Sequence, residues 1–343
     1  MSTNLEEAMK KINKVYGAGS IMTLGDTEPV TTNLLSTGSL MIDKILGGGI
    51  ARGRITEIFG PEGSGKTTLC THIVAQCQKE GGKVAYVDVE QSYDIKYAEK
   101  LGVNSKELIF SQPSSAEQAL DIVDMLARTG EISLIVVDSV AALAPQAELD
   151  GEIGDANIGL SARLMSKCMR KIAAALNETN CAVIFINQLR AMISTGWSAG
   201  PSETTPGGKA LKYAASQRID IRKSKAIKSG DDVIGAETKI KIVKNKIAPP
   251  MKSCVVPLIF GEGFRSEDEA INLGIEYGLI EKTGGWYTTH DGVRLQGLSA
   301  VTAYYKDKPE KFEDLREKVK AKLSGVEIES TYEVDEETGE IIE

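Results

Sequence analysis

Eight residues, Gly60 to Thr67, read GPEGSGKT and carry the most specific chemistry in the chain. The spacing G-x-x-x-x-G-K-[ST], placed between a β-branched run and a helical stretch, lets backbone N–H groups converge on phosphate oxygens. The helix start adds positive dipole, Lys66 reaches the β and γ phosphates, and the Thr67 hydroxyl ligates Mg²⁺. The expected contacts to the nucleotide are Gly60, Pro61, Glu62, Gly63, Ser64, Gly65, Lys66, Thr67 and Thr68. A glycine-rich turn with no nucleotide is the alternative.

Three further groups stand where apolar runs end. LIVVD closes on Asp138, where a carboxylate either holds the metal, directly or through water, or caps a helix. VDVE presents Asp88 and Glu90, and Glu90 lies farther toward the loop. It is either the carboxylate that orients or deprotonates water or an ordinary surface glutamate. AVIFIN runs into QLR, so Gln188 emerges beside the γ-phosphate, as a reporter of nucleotide state or as a capping amide.

Such groups need a sheet to hold them. ITEIF (55–59), KVAYVDV (83–89), LIVVD (134–138) and AVIFIN (182–187) are continuous β-branched runs. Between them lie helical stretches from Thr67, after Ser115 and over about 158–177. This alternation predicts an α/β core with a mainly parallel central sheet covered on both faces, its ligand beyond the carboxyl ends of the strands. In the helix near 160–177, Leu160, Leu164, Met165, Met169, Ile172 and Leu176 form the stripe expected to be buried, while Arg163, Lys167 and Arg170 share another face. That basic face lines a channel or is simply solvated.

Residues 191–212 follow the last strand with no apolar period of their own. A stretch of this length and composition is a functional loop or a mobile one. Trp197 offers an aromatic face, Gly207 and Gly208 backbone donors, and Lys209 and Lys212 charge. Together these suit single-stranded nucleic acid; the plain alternative folds Trp197 onto the core. ELDGEIGDANIG, just before the basic helix, is loop-like as well.

Composition narrows the class. No apolar run is long enough to span a bilayer, and the polar start MSTNLEEAMKK lacks the core of a secretory signal, so a cytoplasmic protein is expected. The five cysteines are odd in number and set among apolar neighbours, as buried reduced thiols would be. His72 and His290 lack a catalytic pattern. The net charge of −8 comes from the last twenty residues, which hold eight carboxylates and leave 40 basic against 40 acidic residues before them. Any polyanionic partner must therefore be read by a local patch. The tail is a disordered solubilising segment, or a competitor for a basic groove. Leu5, Met9, Ile12 and Tyr16 make an amphipathic helix that needs another surface.

The quoted motifs resemble those of the bacterial RecA recombinases. The matching pieces include YGAGSIM, STGSLMID, GRITEIFGPEGSGKTTL, LIVVDSVAAL, ELDGEIGDANIGLSARLMSKCMRK, VIFINQLR, ETTPGGKALK and VKNKIAPP, in family order over roughly residues 5–300. The resemblance implies a helical filament on single-stranded DNA, ATP between adjacent subunits, pairing with homologous duplex DNA and strand exchange, and stimulated self-cleavage of a LexA-type repressor. It implies that Glu90 is the catalytic carboxylate, Asp138 the metal-site acid and Gln188 the sensor. Asp94 and Tyr97 would contact adenine, and Lys244 and Lys246 would reach the neighbour's ATP. It makes 152–158, ending at Ile158, the first DNA loop and the stretch after Gln188 the second, with Arg163, Ser166, Arg170, Gly207 and Gly208 on DNA phosphates. The expected organisation is a polymerisation arm (1–35), an ATPase and DNA-binding core (36–264), a small α+β carboxyl-terminal domain (265–323) and the acidic tail (324–343).

The chain departs from the family pattern in a second loop two residues longer, in Trp197, in Pro206 before the paired glycines, in Gly63 and in Gln91. These point to a divergent lineage, such as one borne on a phage or mobile element. Competing readings are a ring helicase of the same fold, and an ATP-switched DNA coat that hardly hydrolyses. A small-molecule kinase is disfavoured by the absence of a recognisable phosphoacceptor pocket.

Overall fold

The computed structural model describes residues 4–23, 33–152, 159–192, 202–265, 267–323, 333–334 and 341–342. The chain divides into two units, Met1–Asn33 and Leu34–Glu343. In the first, the helix Asn4–Tyr16 carries Glu6 and Glu7 in its first turn and Lys14 in its last, complementing the helix dipole. The chain folds back at its end through Asn13, whose amide exchanges two hydrogen bonds with the backbone of Ile21, each 3.0 Å. Leu5, Val15 and Tyr16 remain exposed.

A nine-stranded sheet organises the second unit. In spatial order its strands are Gly263–Phe264, Ser253–Ile259, Asp232–Asn245, Gln217–Ser229, Ile55–Gly60, Ala182–Gln188, Ile132–Asp138, Lys83–Asp88 and Ile109–Ser111. From Gln217–Ser229 to Ile109–Ser111 every pairing is parallel. The other three are antiparallel. The sheet is thus mainly parallel, as the alternating pattern predicts, and the long hairpin of Gln217–Ser229 and Asp232–Asn245 extends it.

Both faces are buried because successive side chains leave a strand on opposite sides. Leu134, Val136, Ile184 and Ile186 meet Leu69, Ile73 and Val74 of the helix Lys66–Lys79. Ile135, Val137, Val183 and Phe185 meet Leu120 and Val123 of Ala116–Arg128 and Met165 and Ile172 of Leu160–Glu178. Leu160 and Leu164 of the expected stripe are only half-buried, and Cys168 and Ala175 join it instead. All five cysteines are free and buried. No helix among the described residues is long and apolar enough to cross a membrane.

Leu34–Leu35, read from sequence as the end of the arm, pair with Ile50–Ala51 in the second unit. Past residue 266, helices Leu298–Asp307 and Pro309–Leu323 pack with Glu267–Glu276 around Leu273, Ile280, Val301 and Leu315, beside a three-stranded sheet. His290 is buried there between the Tyr305 hydroxyl (2.8 Å) and Asp314 (2.9 Å). In the tail, Glu333–Val334 pair with Ile341–Ile342.

Glu269 ties this carboxyl-terminal part to the core. Its carboxylate accepts from the Ser39 hydroxyl at 2.9 Å and the Met41 N–H at 3.2 Å. Burial pushes its carboxyl from 4.5 up to about 7, against the pull of those bonds, and burial likewise pushes nearby Asp43 up to about 6. A carboxyl held above its unfolded value binds its proton more tightly when folded. Its contribution to stability is full below about pH 4.5 and is lost as pH rises through about 7. Glu269→Gln is therefore expected to flatten the fall in melting temperature from about pH 5 to 8, an effect of at most about 3 kcal/mol. Thermal melts across that range check it, and an unchanged slope would count against it.

Candidate nucleotide and DNA site

Parallel strands deliver their carboxyl ends to one edge, which is why residues far apart in sequence meet here. The register sets Gly60 beside Gln188 and Asp88 beside Asp138. Gly60 ends its strand, and the loop turns into the helix Lys66–Lys79 through Gly65, whose φ of 98° lies in the left-handed region that favours glycine. No side chain caps that helix, so its first N–H groups stay available to an anion. Other helices are capped from within: Ser39, Ser115 and Asp94 accept from the N–H groups of Ile42, Gln118 and Tyr97.

A cleft of about 290 Å³ opens over this loop, lined by Gly63 through Thr68, Tyr97, Lys223, Leu258, Ile259, Phe260 and Gly261. The fit to a triphosphate can be judged from its polar groups. Ser64 Oγ is buried and finds no partner among the described residues. Lys66 is nearly buried, its ammonium turned onto the Pro61 carbonyl at 2.8 Å. Burial pulls the Lys66 pKa down, while Asp138 and Glu90 push it up. A donor without an acceptor and a desolvated cation both suit bound phosphate oxygens.

Thr67 Oγ1 donates to Asp138 Oδ2 at 2.9 Å, and the Tyr86 hydroxyl donates to the same oxygen at 2.8 Å. Burial raises the Asp138 pKa and these two bonds lower it. One hydroxyl and one carboxylate are a suitable donor set for Mg²⁺, which keeps waters and takes substrate phosphates rather than an all-protein cage. No cluster of three or more His, Cys, Asp or Glu able to hold a metal exists among the described residues.

Glu90 Oε1 accepts from Ser139 Oγ and from Gln188 Nε2, the latter at 2.8 Å. The strand-end carboxylate and the end of the strand feeding residues 191–212 are therefore in direct contact. Arg190–Met192 and Ser202–Thr204 pair as a short antiparallel ribbon, so part of a stretch read as structureless is regular. Arg222 braces it, reaching Glu203 at 2.6 Å.

Gly207 and Gly208 have φ of 83° and 73°, and a Cβ would come within 3.0 Å of Val140 and 3.1 Å of Ala162 respectively. Gly208 through Ala162, and Gly207 through Met165, 3.7 Å from such a Cβ, lie against the helix Leu160–Glu178, on which Arg163, Ser166 and Arg170 are exposed. Lys209 follows them, exposed, at the start of the helix Ala210–Ala214. Ile158 and Trp197 lie outside the described residues.

Tyr97 lines the cleft with its hydroxyl 3.3 Å from Thr68 Oγ1, whereas the Asp94 carboxylate caps the helix Ile95–Lys100 at 3.0 Å from the Tyr97 N–H. Lys244 and Lys246 are not among the residues lining this cleft. Lys244 instead donates to the carbonyls of Lys212 and Tyr213, each at 3.0 Å. Sequence reasoning missed Lys223, Leu258 and Phe260, which arrive on the antiparallel strands and their turns, and Tyr86 and Ser139. Period-2 alternation in KVAYVDV could have found Tyr86, since Val84 and Tyr86 share a face.

A strand running through a glycine loop into a helix, with a lysine and a threonine hydroxyl lining the cleft and a strand-end carboxylate bonded to that threonine, defines a P-loop nucleoside triphosphatase. Residues 3–265 match the RecA N-terminal domain model and 268–324 the RecA C-terminal domain model. "Protein RecA" of Desulforapulum autotrophicum is 48% identical over 321 residues, 93% of this chain and 92% of that protein. Its counterpart in Allochromatium vinosum is 48% identical over 338 residues, 97% and 96% of the two chains, and that of Streptomyces venezuelae 49% over 321, 93% and 84%. The chain belongs to the RecA family.

Proposed function

We propose that this protein is a DNA-dependent ATPase and recombinase that forms a helical filament on single-stranded DNA, pairs it with homologous duplex DNA and exchanges strands. The observation that carries the reading is the Glu90–Gln188 hydrogen bond. It links a carboxylate beside the phosphate loop to the strand that enters the proposed DNA-binding segment.

In this reading Lys66 and the loop N–H groups of residues 60–67 neutralise and orient the phosphates, and Thr67 and Asp138 hold Mg²⁺, which when bound offsets developing phosphate charge. Glu90 orients the attacking water and receives its proton. Gln188 then reports the state of the γ-phosphate to residues 190–209. Tyr97 borders the base and Asp94 fixes the helix that carries it. Lys244 and Lys246 act on the ATP of the neighbouring subunit, and the proposed arm, residues 1–35, docks on that neighbour. On the DNA side, Arg163, Ser166, Arg170, Gly207, Gly208 and Lys209 take phosphates, and Ile158 and Trp197 meet bases. The module 265–323 and the tail 324–343 flank this core, the tail competing with duplex DNA. The site of action is the cytoplasm, and stimulated self-cleavage of a LexA-type repressor is a further role of the same filament.

Two measurements test the DNA half of the reading. The affinity for single-stranded DNA in the presence of an ATP analogue is expected to fall with salt, with a logarithmic slope of about −0.7 per neutralised phosphate. Trp197 fluorescence is expected to be quenched by an oligonucleotide, as base stacking requires. A salt-independent affinity, or an unchanged spectrum at saturation, would place the contact elsewhere.

A further inference from the structure

Asn187 does not line the cleft over the phosphate loop, yet it is wholly buried and both atoms of its amide are hydrogen-bonded. Nδ2 donates to Glu57 Oε1 at 3.0 Å and to the Pro206 carbonyl at 3.2 Å, and Oδ1 accepts from the Gln188 N–H at 3.0 Å. One side chain therefore joins a central strand, the exit of the strand Ala182–Gln188 and the residue before the paired glycines.

Glu57 explains why the amide holds one orientation. It is wholly buried on the adjacent strand, where an unpaired carboxylate would be prohibitively costly. Its Oε2 is taken by Arg218 Nε at 2.5 Å, with the guanidinium 4.5 Å from the Phe59 ring centre. Its Oε1 is left to Asn187. Rotating the amide by half a turn would set Oδ1 against a carboxylate and a carbonyl, so only the observed arrangement satisfies every group.

The path from Asn187 onward is tight. Pro206 leads into Gly207 and Gly208, packed against Val140 and Ala162. On the other side, Gln188 is bonded to Glu90. A shift of the Gln188 backbone, whose N–H is held by Asn187, strains the Asn187–Pro206 hydrogen bond unless Pro206 moves with it.

We propose that Asn187, oriented by the buried Glu57–Arg218 pair, is a positioning residue that couples Gln188 to Pro206 and the paired glycines and so sets how strongly nucleotide state changes the grip on DNA. The inference rests on the reading above, in which Gln188 senses the nucleotide and Gly207 and Gly208 touch DNA.

The test compares full-length wild type with Asn187→Ala, measuring affinity for a fluorescent ATP analogue, thermal midpoint, and affinity for single-stranded DNA with a non-hydrolysable ATP analogue and with ADP. The variant is expected to keep nucleotide affinity within about twofold while the ratio of the two DNA affinities falls about tenfold, the range of an ordinary allosteric coupling. Adding Gln188→Ala to it should lower the ratio no further than Gln188→Ala alone. A wild-type ratio in Asn187→Ala would overturn the proposal, as would a multiplicative loss in the double variant or a parallel fall in nucleotide affinity. Should Asn187→Ala not fold, Asn187→Ser, which keeps a small polar group but cannot span to Pro206, reads the same ratio with the same expectation. If the wild-type ratio is itself near one, the sensing role of Gln188 fails instead.

Discussion

Lys66→Ala should abolish nucleotide-dependent binding to single-stranded DNA and lower ATP turnover by about 10²–10³-fold, the cost of removing one preorganised charge donor from a phosphoryl site. The residue sits at the first position of its helix with its ammonium against the Pro61 carbonyl, the loop's own substitute for a phosphate oxygen. Its removal takes away a partly desolvated cation and leaves one carbonyl to water, so the variant is expected to melt no lower than wild type. Titration of DNA binding with and without an ATP analogue, beside a melting curve, checks both halves. Full ATP-dependent affinity in a folded Lys66→Ala protein would remove the phosphate loop from the account.

Glu90→Gln is expected to separate binding from turnover. The substitution preserves shape and leaves a carbonyl oxygen to accept from Ser139 and Gln188, but it removes the basicity that a water proton needs. Turnover should fall by about 10²–10⁴-fold. ATP affinity should stay near that of wild type, and DNA should be held at least as firmly, because the nucleotide persists as triphosphate. Steady-state turnover with parallel nucleotide binding measures this. Turnover close to wild type would make Glu90 a positioning partner of Gln188 and nothing more.

The contrast between what the sequence reveals and what it conceals follows local against non-local determinants. The strands at Ile55–Gly60, Lys83–Asp88, Ile132–Asp138 and Ala182–Gln188 were legible because burial on both faces demands unbroken β-branched runs. Asp138, Glu90 and Gln188 were legible as candidates because each ends or follows such a run. The hairpin of Gln217–Ser229 and Asp232–Asn245 was not read: the outer half of its first strand is exposed and lysine-rich, so apolar alternation fades along it. With it went Lys223, Leu258 and Phe260, which complete the cleft through pairings no local pattern encodes. The ribbon at Arg190–Met192 and Ser202–Thr204 was hidden in the same way, because three-residue strands carry too few positions for a period.

Asn187 shows a subtler limit. Asn187 is the one polar residue of the run AVIFIN and nothing beside it in sequence names its partner, yet the structure buries it completely. The reason is Glu57, a carboxylate inside ITEIF whose charge is met by Arg218, 161 residues away. Buried polar groups are satisfied by partners that topology alone brings near, and single-strand patterning has no access to them.

Everything turns on whether triphosphate chemistry at Lys66 and Glu90 responds to a polynucleotide held beyond Gln188. The direct measurement is the rate of ATP hydrolysis by the wild-type chain at saturating ATP and Mg²⁺, with and without single-stranded DNA. Stimulation of at least about tenfold is predicted, a coupling within the usual allosteric range. Equal rates in the two conditions, with ATP demonstrably bound, would contradict the account.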